Sequence, residues 1–328
     1  MPPDNPKRSL EIGAWLICAA AAVVAEALLI LGKVGIDLFS LGGPLLVMAF
    51  LVGAYIVYGR WRPEPVICDI CGALAVITLS AGAAGIISLA GLRMGAPLID
   101  ETLAAYDGAL PLDTKSIVMG VSRVPAFAGL LGFAYVSSFP ILFGSVVFLA
   151  WTRQVKPLWQ LAFAFVFTAV GCAIISVFIP AAGAFSHFAY SADVLGRLPP
   201  EAGVYYMPKF EYYRHTVAPI ISMSSLQGVV AFPSFHCCLA LMTASAYVER
   251  RRLFRFSLLW NGLVLVSAIP IGGHYIVDLI AGAGLWGLAH GLANALWRWH
   301  AGTRQRAELT AANVLAEYCP SASISQRV

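Results

Sequence analysis

The chain has 328 residues, of which 59% are hydrophobic and only 12% are charged. Soluble domains carry about 25% charged residues, so this composition excludes a string of ordinary soluble domains and indicates a surface that largely faces lipid. The formal net charge of +4 is small and gives no indication of nucleic-acid binding.

Long apolar runs predict membrane-spanning helices. A span needs about 20 apolar residues to cross the hydrocarbon core, and eight segments approach that length. The sequence therefore predicts an all-α polytopic membrane bundle of about eight transmembrane helices, at residues 13–32, 42–59, 66–91, 124–151, 157–180, 230–248, 255–272 and 275–297.

The distribution of basic residues predicts the orientation of this bundle. Arg and Lys are enriched in the connections on one side, as is typical of the cytoplasmic side, whereas the opposite connections are acidic or mixed. We therefore expect a multi-pass protein of the plasma or inner membrane with both termini in the cytoplasm. The basic residues on that side are Lys7, Arg8, Arg60, Arg62, Arg153, Lys156, Arg250, Arg251, Arg252, Arg255, Arg298, Arg304 and Arg306.

The segments fall into three predicted regions. Residues 1–65 form an N-terminal two-helix membrane extension, 66–300 a six-helix core and 301–328 a polar cytoplasmic tail. On the non-cytoplasmic side, the connections at about 92–123 and 181–229 are long. Loops of that length in a compact protein are usually functional, so we expect the activity on this side.

Two polar motifs interrupt the apolar runs on the non-cytoplasmic side. AFPSFHCCLA places Ser234 and His236 at the start of the sixth span, and IGGHYIVDLIAG places His274 and Asp278 at the start of the eighth. The hairpin between these motifs brings the two histidines, 38 positions apart in the chain, to the same membrane face.

His274 and Asp278 are four residues apart and therefore share one face of a helix. A carboxylate bonded to one ring nitrogen fixes the tautomer and raises the basicity of the other nitrogen, as in nucleophile–base triads. Ionisable residues at membrane helix ends are candidates for function; the alternative is packing histidines at a wet interface. The sequence has no H-x-x-x-H motif or carboxylate cluster with metal-ligand spacing, so we predict a metal-independent enzyme without a cofactor.

The two motifs, P-S-F-H followed by G-G-H-Y-I-V-D-L-I-A-G, closely resemble the second and third signature motifs of the type 2 phosphatidic acid phosphatase superfamily. The likeness is closer to the branch that includes the fungal inositol phosphorylceramide synthases, and it covers residues 66–297. The resemblance implies a six-helix core whose active site, at the non-cytoplasmic face, acts on a phospholipid or on an isoprenoid or sphingolipid phosphate within the bilayer.

The resemblance also implies a role for each motif residue. His274 would be the nucleophile that takes the phosphoryl group, Asp278 would orient it, and His236 would protonate the leaving oxygen. Ser234 and nearby backbone amides would bind phosphate oxygens, helped by the partial positive charge of a helix N-terminus.

Two features depart from the family pattern. Ala268 stands where an arginine usually precedes the nucleophile by six residues, and the first signature motif has no clean match. At its place in the chain, MPKFEYYRHT offers Arg214 and, second, Lys209 as substrate phosphate ligands. A phosphoryl transition state needs fixed cationic donors, although both residues are equally compatible with ordinary interface cations.

The leading hypothesis is an integral membrane lipid phosphatase or phosphotransferase that works through a phosphohistidine intermediate, completed by water or by an alcohol. The alternative within the family is an inositol phosphorylceramide synthase-like transferase, which moves a phosphorylated head group to a lipid alcohol. A transporter or non-catalytic scaffold is the alternative from a different class. The chain lacks the repeat halves and midplane binding segments that are common in transporters.

Overall fold

A computed structural model describes the backbone of residues 6–318 and the side chains of residues 6–301. The fold is an all-α polytopic bundle, as predicted. Its helices are α1 (Pro6–Gly32), α2 (Gly42–Ile56), α3 (Pro65–Gly91), α4 (Asp100–Gly108), α5 (Thr114–Ser122), α6 (Pro125–Trp151), α7 (Val155–Phe178), α8 (Ala184–Phe188), α9 (Ala192–Gly196), α10 (Met207–His215), α11 (Phe235–Ser245), α12 (Arg251–Ser267) and α13 (Ile276–Tyr318).

Six of these helices are long and apolar enough to span a membrane: α1, α3, α6, α7, the part of α13 up to Ala301, and α2 with its flanking turns. The chain is therefore an integral membrane protein. Helices α11 and α12 lie at the other two predicted spans but have 11 and 17 residues. At 1.5 Å per residue α11 is about 16 Å long, half of a hydrocarbon core.

The sixth and seventh spans are shorter than predicted because residues at the polar end of the bundle form loops instead of helix. Residues 226–234 run as irregular chain before α11 begins. Beyond the end of α12, residues 268–275 turn back towards α13, and Gly273 adopts a positive φ of 78° there. Each of these loops carries part of one polar motif. A count of apolar residues does not distinguish the loop residues from the helical residues that follow them.

Helices α3 and α7 form the centre of the bundle. In their most apolar stretches 61% and 72% of residues are buried, compared with 6% in the segment containing α2, which therefore faces outwards. Small residues let membrane helices approach closely. A side chain at Gly91 of α3 would overlap Val177 of α7, and one at Gly72 would overlap Tyr55.

The N-terminal helices are fixed to this centre by a partly buried polar cluster. Lys7 of α1 forms an ion pair with Asp69 of α3, and the Trp159 indole of α7 donates a 2.9 Å hydrogen bond to the same carboxylate. The Tyr55 hydroxyl of α2 donates to Glu11 of α1. Buried charges are retained when they are paired in this way, so α1 and α2 pack against the core through defined partners.

At the opposite end of α1, a short parallel pairing joins the extension to the loops. Strand β1 (Gly35–Asp37) pairs with β2 (Ile220–Ser222). Next to this pair, the Met223 main-chain N–H donates a 2.8 Å hydrogen bond to the Ser40 hydroxyl. The α1–α2 turn therefore supports the chain that leads into the irregular segment 226–234.

Candidate active site

A cavity of about 360 Å³ lies between α3, α6, α7 and the irregular segment before α11, and both His236 and His274 line it. Most of the wall is formed by Ala, Val, Leu, Phe and Gly residues. Its lining residues include neither Lys nor Arg. Besides the histidines, its larger polar side chains are Tyr135, Tyr205, Tyr206 and Gln227.

A tight loop fixes His274 between α12 and α13. A side chain at Gly273 would overlap the main chain of Gly203, and the positive φ also favours glycine. The Gly273 carbonyl accepts a 2.8 Å hydrogen bond from the Ala184 main-chain N–H, which ties this loop to the chain before α8. His274 is consequently held in place and is only 4% exposed.

The hydrogen bonds of His274 determine which nitrogen is free. Its Nδ1 lies 2.7 Å from the Ala231 carbonyl oxygen and 3.3 Å from Asp278 Oδ2. Both partners are acceptors at neutral pH, so Nδ1 carries the proton and donates. In the neutral ring the lone pair is then on Nε2, which is the arrangement that a nitrogen nucleophile requires.

Asp278 lies fully buried in the first turn of α13. Its Oδ2 also accepts a 2.8 Å hydrogen bond from the Tyr275 main-chain N–H. Its Oδ1 is buried and has no hydrogen-bond partner among the described residues. A buried carboxylate with spare accepting capacity is costly for stability, and its negative charge remains available to the neighbouring imidazole.

His236, in the first turn of α11, is held by aromatic rings. It stacks on Tyr135 with ring centroids 4.0 Å apart and an interplanar angle of 21°, and Phe139 contacts it edge-on at 6.0 Å. Within the described part of the chain its ring nitrogens form no hydrogen bond. They are therefore available to a ligand in the cavity.

Ser234 joins the two motifs through its main chain. It is the fully buried N-cap of α11, where its hydroxyl accepts a 3.4 Å hydrogen bond from the Cys237 N–H. Its own N–H donates to the Asp278 carbonyl at 3.0 Å. A side chain at Gly282 would overlap the Ser234 carbonyl, so this glycine allows α11 and α13 to meet. Ser234 is not among the residues that line the cavity.

A family model described as PAP2 superfamily matches residues 101–292, which include both histidine motifs and more than half of the chain. The chain belongs to the PAP2 superfamily. This confirms the resemblance to type 2 phosphatidic acid phosphatases. The matched range begins after α3, so it leaves α1, α2 and α3 outside. No curated protein and no solved structure gave a match to the chain.

The cavity of this PAP2 protein contains a tyrosine pair that the sequence analysis missed. The hydroxyls of Tyr135 and Tyr205 are 2.8 Å apart, whereas the Tyr206 hydroxyl donates to the Ala182 carbonyl at 2.7 Å. Burial raises the pKa of Tyr205 and of Tyr206, so both stay protonated at neutral pH. One hydroxyl of the pair donates to the other, which leaves one proton for a ligand.

Two aspartates behind His274 were also missed. Asp100 accepts from the main-chain N–H groups of Ala182 and Gly183, both at 2.8 Å. Asp107 accepts a 2.8 Å hydrogen bond from the N–H of Ile276, the first residue of α13. The available signal was their spacing of seven residues, which places them on one face of α4 two turns apart. They hold the loops around His274 without touching the cavity.

The structure does not bring the two predicted cationic ligands to the histidines. The Lys209 ammonium donates to the Ser225 carbonyl at 2.8 Å and to Gln227 Oε1 at 3.2 Å, and partial burial lowers its pKa. Arg214 Nη2 donates to the Ala96 carbonyl at 2.9 Å. Neither residue lines the cavity. Gln227 does line it, so it separates Lys209 from the interior.

The described residues contain no group of three or more His, Cys, Asp or Glu side chains that could hold a metal ion. Metal independence stays a prediction, to be tested by chelation.

Proposed function

We propose that this PAP2 protein cleaves a lipid phosphate ester through a phosphohistidine intermediate on His274, at the non-cytoplasmic face. The observation that carries the proposal is the pair of acceptors at Nδ1 of His274, Asp278 Oδ2 and the Ala231 carbonyl. They leave the Nε2 lone pair for a ligand in the cavity that His274 lines.

In the proposed first step, Nε2 of His274 forms a bond to phosphorus while the ester P–O bond breaks. The leaving alkoxide takes a proton from His236, which lines the same cavity. The imidazole gains positive charge as the N–P bond forms, and the adjacent carboxylate of Asp278 stabilises that charge. The arrangement resembles a triad in which a carboxylate fixes the ring that reacts.

In the proposed second step, an oxygen nucleophile attacks phosphorus and the N–P bond breaks, which returns His274 to its neutral form. His236, now neutral, takes the proton of the nucleophile. Water gives a phosphatase, and an alcohol gives a phosphotransferase. The residues around the cavity serve both outcomes, because the acceptor needs only to occupy the site left by the first product.

The lack of Lys and Arg in the cavity wall favours a substrate with a single negative charge. A phosphomonoester carries about two charges near neutral pH, and burying both beside the Asp278 carboxylate without Lys or Arg is costly. A phosphodiester carries one charge, which a protonated His236 can balance while the Tyr135–Tyr205 hydroxyl pair donates a hydrogen bond. We therefore favour transfer of a phosphorylated head group to a lipid alcohol, as in the inositol phosphorylceramide synthase-like branch, over hydrolysis of a monoester.

A substrate panel tests the proposal. Purified protein is incubated with lipid phosphomonoesters and phosphodiesters, with and without lipid alcohols, while free phosphate, released head group and new phospholipid are measured. New phospholipid that forms from a diester and an alcohol is the expected result, and it should form equally in the presence of a chelator. Release of free phosphate from monoesters alone would overturn the transferase assignment. Absence of turnover on every substrate would favour a transporter or scaffold.

Labelling tests the proposed side of the membrane. A cysteine introduced in place of the exposed Val217 should react with an impermeant reagent in intact cells, whereas one at the exposed Arg251 should not. The reverse pattern would move the active site to the cytoplasmic face.

A further inference from the structure

Two arginines meet at the end of α3, away from the histidine cavity. Arg93 Nη1 donates a 3.1 Å hydrogen bond to the main-chain carbonyl of Arg214. Arg214 in turn donates to the Ala96 carbonyl at 2.9 Å, and its guanidinium lies 5.9 Å from the ring centre of Phe210. Two cationic side chains are thus held together by main-chain carbonyls and an aromatic ring.

Among residues 6–301, neither guanidinium has an anionic partner, because no ion pair there involves Arg93 or Arg214. In addition, Arg93 Nε and Arg214 Nη1 are buried donors that find no hydrogen-bond acceptor among the same residues. Buried N–H groups of a cation are rarely left without an acceptor, and two such groups in one pair indicate an anion that satisfies both.

A purely structural role accounts for only part of this arrangement. Arg93 stabilises the C-terminal end of α10 by donating to one of its last carbonyls, which the helix dipole also favours. That role uses Nη1 alone. The unsatisfied Nε of Arg93 and Nη1 of Arg214 remain unexplained by it.

Arg93, just after α3, and Arg214, on α10, are each several residues away from the nearest cavity-lining residue on the same segment. Arg93 lies eight residues after Gly85, and Arg214 eight residues after Tyr206; Gly85 and Tyr206 both line the cavity. Eight helical residues correspond to about 12 Å. The pair therefore lies about two helical turns from these two lining residues, and neither arginine lines the cavity.

The surroundings of the pair are those of a membrane interface. Exposed apolar side chains neighbour it in the chain: Met94 and Leu98 on one side, and Tyr212 and Val217 on the other. A guanidinium fork matches the oxygens of a phosphate group. We propose that Arg93 and Arg214 bind the phosphate of an anionic lipid head group, at a site separate from the histidine cavity.

Lipid binding by the full-length protein tests this site. Purified protein in neutral detergent is titrated with phosphatidylglycerol, and retained lipid is counted by native mass spectrometry against phosphatidylcholine with the same acyl chains. We expect one phosphatidylglycerol to bind at the arginine site, in addition to any lipid that the histidine cavity holds as substrate. Arg93→Gln or Arg214→Gln should weaken binding at the arginine site about tenfold or more, because each removes charge-assisted hydrogen bonds.

Matched variants distinguish the site from general charge and from the proposed reaction. Arg123→Gln removes an exposed arginine from the same set of loops and should leave binding unchanged. His236→Ala and His274→Ala should leave the arginine-dependent binding unchanged, whatever they do to lipid held in the cavity, since the two sites are separate. The proposal would be overturned if Arg123→Gln weakened binding as much as Arg93→Gln and Arg214→Gln do, or if neither of those two variants weakened it. It would also be overturned if the histidine variants abolished the arginine-dependent binding.

Two further measurements cover folding and the source of the phosphate. If the glutamine variants fail to fold, Arg93→Lys and Arg214→Lys replace them; a several-fold loss is expected because an ammonium lacks the planar fork, and unchanged affinity would contradict the site. Inorganic phosphate should compete only at concentrations far above those of the lipid. Competition at equal concentrations would show a site for free phosphate and would overturn the assignment to lipid.

Discussion

The histidine cavity and the arginine pair contain opposite sets of polar groups. The cavity is lined by two histidines and a tyrosine pair, without Lys or Arg. The pair at Arg93 and Arg214 has two cations and, in the part of the chain that the structure describes, no carboxylate partner. In a low-dielectric interior a fixed cation is expensive, while neutral imidazoles can still exchange protons. The two proposals therefore assign bond cleavage and anion recognition to two separate places.

His274→Ala tests the chemical side of this comparison most strongly. It removes the proposed nucleophile, so turnover should fall by about 10³-fold or more, and no phosphoenzyme should be trapped after acid quenching. His290→Ala is the matched control, because His290 lies on the same helix and stacks on Trp286 instead of lining the cavity. A phosphoenzyme that persists in His274→Ala but disappears in His236→Ala would show that the two roles are exchanged.

Asp278→Asn should have the next largest effect. The neutral amide keeps the shape but removes the charge that stabilises the ring as it bonds to phosphorus, so kcat should fall by about 10²–10⁴-fold. Asp113→Asn provides a comparison, since Asp113 caps α5 through the Ser116 N–H at an exposed position. Equal rates for Asp278→Asn and the parent protein would mean that Asp278 only supports the loop.

The effect of His236→Ala should depend on the leaving group. General acid catalysis contributes about 10²–10⁴-fold, and a good leaving group needs little of it. The variant should therefore lose far more activity on an alkyl lipid phosphate ester than on an aryl ester that binds equally well. Equal losses on both substrates would refute the role of His236 as the acid.

The smallest change is expected for Lys209→Met. Lys209 donates to Ser225 and Gln227 outside the cavity, and partly exposed charged contacts of this kind contribute about 1 kcal/mol or less. The value of kcat/KM should change less than about fivefold. A loss of two orders of magnitude would mean that Lys209 reaches the phosphate during turnover, and the cavity would no longer count as free of cations.

The helices and the histidine motifs could be predicted from the sequence because both signals are local. Apolar runs indicate spans, and the i, i+4 spacing of His274 and Asp278 was sufficient to predict their contact, which the structure contains. The short length of α11 was not predictable from hydropathy, because residues 230–234 are as apolar as the helix they precede.

Contacts between distant parts of the chain were beyond sequence analysis. The hydroxyl bond between Tyr135 and Tyr205 joins residues 70 positions apart, and the bond from Arg93 to Arg214 joins residues 121 apart. Nothing in the local sequence around any of these four residues indicates its partner. The positions of Arg214 and Lys209 outside the cavity depend on the same long-range packing, which a single sequence does not reveal.

The parallel pairing of β1 with β2 makes the N-terminal segment, residues 1–65, part of the structure that supports the cavity. A protein shortened to the range that the family model matches would expose the main-chain N–H and C=O groups of residues 220–222 at a sheet edge with no partner. Leu226, which lines the cavity, follows only four residues later. The extension therefore acts as an internal brace, and the smallest unit that keeps the cavity intact is larger than the family domain.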